Sequence, residues 1–402
     1  MTETPLPLKG IRVLDIATFI AAPYAAAILG EFGAEVIKIE QPGGGDTFRH
    51  FGSITDRDGD SLMWLSEARN KASITLDLRK PEGKALFLRL VAASDVVAEN
   101  FRPGTLEKWG LGWEELSKVN PGLILLRISG YGQTGPYRDR PGFARIAHAF
   151  GGLSHLAGLP GGIPVTPGST SLADYMSGLY GAIGLLVALR HRDATGQGQI
   201  IDLALYESVF RALDEIAPAF AMFGKQRERE GAGTVNACPH GHFRCADDGW
   251  IAIACTTDRM FTRLCEAMGR PELAADETWG RLRRRLAERT GVDALVTTWT
   301  GARSRDEVMR LCLEFEVPAA PLNGIADIFA DPHFKARGNL LTVMDETLGE
   351  VVVPGVVPKL SASPGRVGRL GPRLGEANDR IYGDLLGLSP EERAELRAKG
   401  VV

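Results

Sequence analysis

At 402 residues, 44% hydrophobic and 24% charged, the chain has ordinary globular composition and, at roughly 150 residues per domain, room for two or three domains. That composition excludes intrinsic disorder and fibrous architectures. A net charge of -4 from 46 basic and 50 acidic residues gives no global field for a nucleic-acid partner, so any anionic ligand must be gripped locally.

Met-Thr-Glu-Thr-Pro at the start has no basic region ahead of an apolar run, and we expect a cytoplasmic protein. Ile11 to Ile16 reads as a strand, Pro23 opens an alanine-rich helix that Gly33 closes, and Glu35 to Glu40 reads as a second strand. The rhythm recurs as Ser73 to Leu78, a helix over Pro81 to Ala93, Asp95 to Glu99 and the apolar strand Leu123 to Ser129. A helix from about Leu172 to Arg192, closed by Gly196, leads into a strand from Gly198. The apolar stretches Phe19 to Phe32 and Gly178 to Leu189, bounded by Glu31 and Arg190, fall short of the ~18 residues a membrane span needs, and we read them as buried helices. At Lys225 to Gly233 charge and glycine mark a linker. Beyond it come a hairpin over His242 to Ala254, amphipathic helices at about 258–269 and 304–316, and a last helix opened by the capping box Ser389-Pro-Glu-Glu. The expectation is a doubly wound, Rossmann-like α/β domain over 1–220, completed by about 326–402, with a small α+β domain over 225–325.

Cys238, Cys245, Cys255, Cys265 and Cys312 form no C-x-x-C pair and read as reduced, mostly buried thiols. Gly130-Tyr-Gly132-Gln-Thr-Gly135 matches a dinucleotide fingerprint, but Pro136-Tyr-Arg-Asp-Arg-Pro141 follows where a helix is required. The first strand-to-helix turn, Ala17 to Pro23, has no glycine. His240-Gly-His242 lacks acidic or thiolate neighbours, so no metal is expected there. Asp174 lies in the opening turn of the long apolar helix, behind a glycine-rich approach from Gly151 to Gly168. Acids are common at helix starts because free amides and the dipole favour them, so a structural role and a reactive one both stand at this point.

Several stretches, found together and in order, resemble the class III CoA-transferase family over nearly the whole chain. They are Gly10 to Asp15, Leu29 to Glu40, Asn70-Lys71, Asn100-Phe101-Arg-Pro-Gly104, Gly130-Tyr-Gly132, Pro141-Gly-Phe143 and Leu172-Ala-Asp174. The resemblance implies a CoA-transferase with Asp174 as catalytic aspartate and Asn70, Lys71, Ala72, Ser73, Asn100, Phe101 and Phe143 touching CoA. CoA esters would be substrates, with no tightly bound cofactor. Lys71, Arg102 and Lys108 would be nearest the phosphates; members often carry arginine where this chain has Gln41 and Lys108. It further implies an interlocked-ring homodimer, in some members assembled from two related chains. Cys238-Pro-His-Gly-His-Phe and Thr166 to Tyr175 are most similar to the branch that takes succinyl-CoA as donor and a C4 or C5 dicarboxylic acid, malate, citramalate or itaconate, as acceptor. Arg49, Arg145, His240 and His242 are the expected partners of the distal carboxylate, which needs a cation if buried.

A carboxylate suits this chemistry on its own terms. Attack on a thioester gives a mixed anhydride and a CoA thiolate, so the activation survives transfer to another acid. A related α-methylacyl-CoA racemase would instead need a histidine–aspartate couple after Pro141-Gly142, where this chain has Phe143-Ala144 with His148 the nearest histidine. A non-catalytic acyl-CoA binding subunit is the third reading.

Overall fold

The computed structural model describes residues 5–168 and 170–402; Met1–Thr4, where no leader is read, and Ser169 of the Thr166–Tyr175 run lie outside the described residues. The chain divides into two units. The larger comprises Met1–Leu153, Gly168–Asp214 and His333–Val402, and the smaller Ser154–Pro167 and Glu215–Pro332.

The larger unit is built on a six-stranded parallel sheet of β1 (Arg12–Asp15), β2 (Glu35–Glu40), β3 (Lys71–Thr75), β4 (Val96–Glu99), β5 (Ile124–Ser129) and β6 (Gln199–Ala204). Their order is β3-β2-β1-β4-β5-β6. After β1 the chain winds outward through β2 and β3, then returns to β4 beside β1 and winds the other way. The carboxyl ends of β1 and β4 therefore flank the crevice where such sheets bind ligands. Alternate residues of each strand feed two cores, one holding Val13, Val36, Ala98 and Leu126, the other Leu14, Ile37, Val97 and Leu125. A two-stranded antiparallel hairpin, β10 (Leu340–Asp345) and β11 (Gly349–Pro354), completes this unit.

The first core is closed by the Ala21–Glu31 and Leu172–Thr195 helices. Small residues let them touch: a Cβ at Gly178 would lie 2.7 Å from the Tyr24 ring and 2.9 Å from the Ala21 carbonyl oxygen. Gly196, at φ 74°, closes the longer helix with its amide on the Arg192 carbonyl. That helix has 24 residues, longer than its apolar stretch suggests, and is long and apolar enough to cross a membrane by composition. Its Ala182, Leu185, Ala188 and Leu189 are packed in the core of this unit.

On the face of β1, β2 and β3 where apolar residues would be expected, Asp15, Lys38, Glu40, Lys71 and Ser73 are all buried. They pair inward, and Ser73, together with Arg49 and Arg57, fastens the returning carboxy-terminal segment. Arg49 grips Glu40 at 2.7 Å and Asp60 at 2.9 Å, and donates to the Pro372 carbonyl at 3.0 Å. Arg57 reaches Asp345 at 3.0 Å and the Gly371 carbonyl at 2.8 Å, while Ser73 accepts from the Gly375 amide at 2.9 Å. Burial opposes the charge of Lys38, but Asp15, Asp46 and Glu40 outweigh it and push its pKa up to about 12.

In the smaller unit, β7 (His240–Arg244), β8 (Trp250–Ala254) and β9 (Ala319–Pro321) form an antiparallel sheet. The Asp258–Ala267, Arg289–Gly301 and Arg305–Glu314 helices accompany it. Its core includes all five cysteines, which are free and buried.

Candidate active site

The carboxyl ends of β1, β4 and β5 open into a pocket of about 230 Å³ in the larger unit. Thr18 to Ala21, Asn100 to Pro103, Ile128 to Gly130, Arg138, Arg140 to Phe143, Asp174 and Leu205 line it. Of the residues read from sequence, it gathers Asp174, Asn100, Phe101, Arg102 and Phe143. Thr18, Phe19, Arg138 and Arg140 join them unforeseen.

Each wall has a local cause. The Asn100 amide accepts from the Thr18 N–H at 2.8 Å and donates to the Thr18 carbonyl at 2.6 Å, tying the β1 and β4 loops together. Phe19 sits in the left-handed region at φ 59°, unusual for an aromatic residue; Asp46 accepts its amide at 3.3 Å. The Phe19 ring meets those of Phe48, Phe51 and Phe143 edge-on or tilted. The glycine motif proves to be loop geometry. Gly130 and Gly142 cross so closely that a Cβ on either would lie 2.8 Å from the other's Cα, while Asp202 accepts the Gln133 amide at 3.0 Å.

Asp174 stands in the first turn of the Leu172–Thr195 helix, half-buried. Burial alone pushes its carboxyl up to about 7. Among the described residues no side chain pairs with this carboxylate, although Arg102, Arg138 and Arg140 line the same pocket. Arg140 stacks on Tyr137, 3.6 Å from the ring centroid. No histidine lines the pocket among the described residues. His148 is buried and uses Nε2 to accept the Ala173 amide at 2.9 Å. The acid–base couple that racemisation requires is therefore absent from this lining.

A second, smaller cleft of about 80 Å³ shares Thr18 and Phe101 with the first and runs over the ends of β1 and β2. Leu76, Leu78 and Trp109 supply its apolar walls, and Gln41 and Gly45 also line it. Gln41 accepts from Arg79 at 2.9 Å. Phe101, its amide held by Glu99 at 2.6 Å, packs edge-on against Trp109 at 5.3 Å. Burial raises Glu99 to about 7 despite its 2.6 Å pairing with Arg127.

The structure places several of the expected contacts away from these clefts. Asn70, Lys71, Ala72 and Ser73 do not line either cleft: Asn70 precedes β3 and the other three lie on it. Asn70 spends its amide on the Arg366 carbonyl and the Gly368 N–H. Lys71 is 1% exposed and bonded to Asp15 at 2.8 Å and the Pro23 carbonyl at 2.7 Å. Ala72 packs on the second core, and Ser73 donates to Glu40 at 2.5 Å. Arg49, expected to hold a substrate carboxylate, is consumed by Glu40 and Asp60 beneath the sheet edge. Lys108 and Arg145 are exposed outside the pocket lining. His240 and His242 belong to β7 of the smaller unit, where His242 lines an apolar groove with Leu159, Ile163 and Trp250.

The missed residues had faint signals. Thr18 and Phe19 fill the first strand-to-helix turn, which carries a ligand crevice in a doubly wound sheet even without glycine. Arg138 and Arg140 are the two cations of the run that breaks the dinucleotide pattern.

The model of CoA-transferase family III matches residues 8–378, and the chain belongs to that family. It is 61% identical over 400 residues to the succinyl-CoA–L-malate CoA-transferase alpha subunit of Chloroflexus aurantiacus, covering all of this chain and 94% of that one. With the beta subunit from the same organism it shares 58% over 403 residues, covering 100% and 99%. A crystal structure of a CAIB/BAIF family protein from Brucella suis superimposes with a TM-score of 0.84 at 36% identity, covering 95% of this chain and 100% of that one.

Proposed function

From membership in this family we propose that the chain moves CoA from succinyl-CoA to a C4 or C5 dicarboxylic acid, with L-malate as the first candidate acceptor. The names of the two relatives at 61% and 58% identity support the substrate pair. The observation that carries the mechanism is Asp174, a carboxylate without a side-chain partner among the described residues and pushed up to about 7, in a pocket walled by three arginines.

An Asp174 Oδ attacks the thioester carbonyl carbon of succinyl-CoA, forming an anhydride as the C–S bond breaks and CoA leaves as thiolate. The thiolate attacks the aspartyl carbonyl and releases succinate, leaving an aspartyl-CoA thioester. The acceptor carboxylate attacks that thioester, and the returning thiolate completes the new CoA ester while Asp174 is freed. No proton need be exchanged with the substrates. A basic carboxylate without a cationic partner is the better nucleophile, and the narrow pocket limits competing water.

CoA in this reading enters along the second cleft, its adenine end by Leu76, Leu78 and Trp109, its pantetheine arm past Asn100 and Phe101, with Arg79 and Arg102 nearest the phosphates. Arg138 and Arg140 are left for the distal carboxylate, a role charge-assisted hydrogen bonds can fill. The enzyme functions as a dimer, of this chain alone or with a related second chain, as the alpha and beta naming of its relatives suggests. The five free, buried cysteines fit a cytoplasmic setting. The test is an acceptor panel with the purified single chain and succinyl-CoA, read by mass detection of the new thioester alongside light scattering. Transfer to L-malate is expected; transfer only to oxalate or to monocarboxylates overturns the substrate reading.

A further inference from the structure

We propose that His148 is a positioning residue for the nucleophile, acting as a side-chain cap supplied from another helix to the first turn that carries Asp174. This rests on the reading of Asp174 as nucleophile. The first turn of a helix leaves amides without intrahelical acceptors, and a local Ser or Thr ordinarily serves them. Here Ser171 stands at the N-cap position, in neither an extended nor a helical conformation, and its side chain makes no capping bond. His148, 25 residues earlier on the Ala144–Phe150 helix, accepts the Ala173 amide on Nε2 at 2.9 Å instead.

Both partners are fully buried, His148 and Ala173 each at 0% exposure, so water cannot replace the bond. Nε2 accepts only when the ring is neutral with its proton on Nδ1, and Nδ1 has no partner among the described residues. An uncharged cap has a consequence that a lysine or arginine would not share. It fixes the Leu172–Ala173 peptide, one peptide ahead of the one that joins Asp174, without placing a cation beside the carboxylate, whose nucleophilicity a cation would reduce. The Ala144–Phe150 helix directly follows Phe143, so the same short helix joins one wall of the pocket to the base of the nucleophile.

The test compares His148→Ala and His148→Gln, since a glutamine side-chain oxygen can accept the Ala173 amide. Hydroxylamine trapping of the acylated aspartate in the wild type runs beside it, with Asp174→Asn as control, so a failure of the Asp174 reading shows there independently. With trapping at Asp174 established, His148→Ala is expected to lower kcat by about 10- to 100-fold, the scale of a misplaced reacting group, with KM for succinyl-CoA within threefold. His148→Gln should keep kcat within about fivefold. Unchanged kcat in His148→Ala, a loss expressed in KM, or a folded His148→Gln as impaired as His148→Ala each overturns the proposal. If His148→Ala fails to fold, His148→Gln decides alone: kcat within fivefold upholds the proposal, and a larger loss overturns it.

Discussion

Asn100 holds Thr18 by both sides of its backbone, accepting the Thr18 N–H at 2.8 Å and donating to the Thr18 carbonyl at 2.6 Å across 82 residues of chain. The bond pair joins the loops after β1 and β4, the strands between which the winding direction changes. Both residues face the pocket that contains Asp174.

Asn100→Ala should therefore loosen the crevice instead of removing a reacting group. We expect KM for succinyl-CoA to rise about tenfold, equivalent to roughly 1.4 kcal/mol, with kcat falling less. Steady-state kinetics with malate saturating checks this; a loss confined to kcat would contradict it.

Asp174 has a folded-state pKa of about 7 against an ordinary 3.8. The native state holds more protons than the unfolded state between these values, so the contribution of this group to stability falls as pH rises from about 4 to 7. The nominal cost above pH 7 is about 4 kcal/mol, reduced to about half by the solvent that reaches a partly exposed group. Asp174→Asn should thus be inactive yet more stable than wild type at pH 8, with the difference vanishing near pH 4, as urea midpoints at both values would show. Activity in the wild type should rise with pH through about 7 as the nucleophile ionises.

Arg140→Ala and Arg138→Ala remove cations from the pocket lining. Each should raise KM for L-malate about tenfold, within the range of a charge-assisted hydrogen bond, and leave KM for a short monocarboxylic acceptor within threefold. Equal effects on both acceptor types would assign these arginines to CoA instead.

Lys71 tests where the CoA phosphates lie. Lys71→Met leaves Asp15 with the Ala17 amide and, as its remaining cation among the described residues, Lys38 at 3.6 Å, and should destabilise the fold by about 3 kcal/mol. The folded fraction should keep its KM for succinyl-CoA, whereas Trp109→Ala, in the second cleft, should raise that KM at least fivefold. The opposite pattern would return the phosphate role to Lys71.

Much of this organisation was legible in the chain. Alternating βα segments, the apolar helix ended by Gly196 and the capping box at Ser389 follow local rules, and each element formed within a few residues of its expected bounds. Asp174, Asn100, Phe101 and Phe143 were likewise found by motif and meet in one pocket. The ion pairs of Lys71 and Arg49 could not be read because their partners, Asp15 and Glu40, are 56 and 9 residues away, and a charged residue in a motif reads the same whether it faces a ligand or a buried carboxylate. The β10–β11 hairpin and β9 escaped notice because a short, half-exposed strand has weak alternation. Phe19 carries no local mark of a positive φ. Its conformation is imposed by tertiary contacts, including Asp46 and the neighbouring rings.

The most direct test of covalent transfer through Asp174 is peptide mass spectrometry of the wild-type protein mixed with succinyl-CoA, acid-quenched, and chased in parallel with L-malate. A CoA thioester is expected on the peptide containing Asp174, absent from Asp174→Asn, and it should disappear on adding malate as malyl-CoA forms. Turnover to malyl-CoA with no adduct at Asp174, or an adduct on another residue that malate discharges, would contradict it.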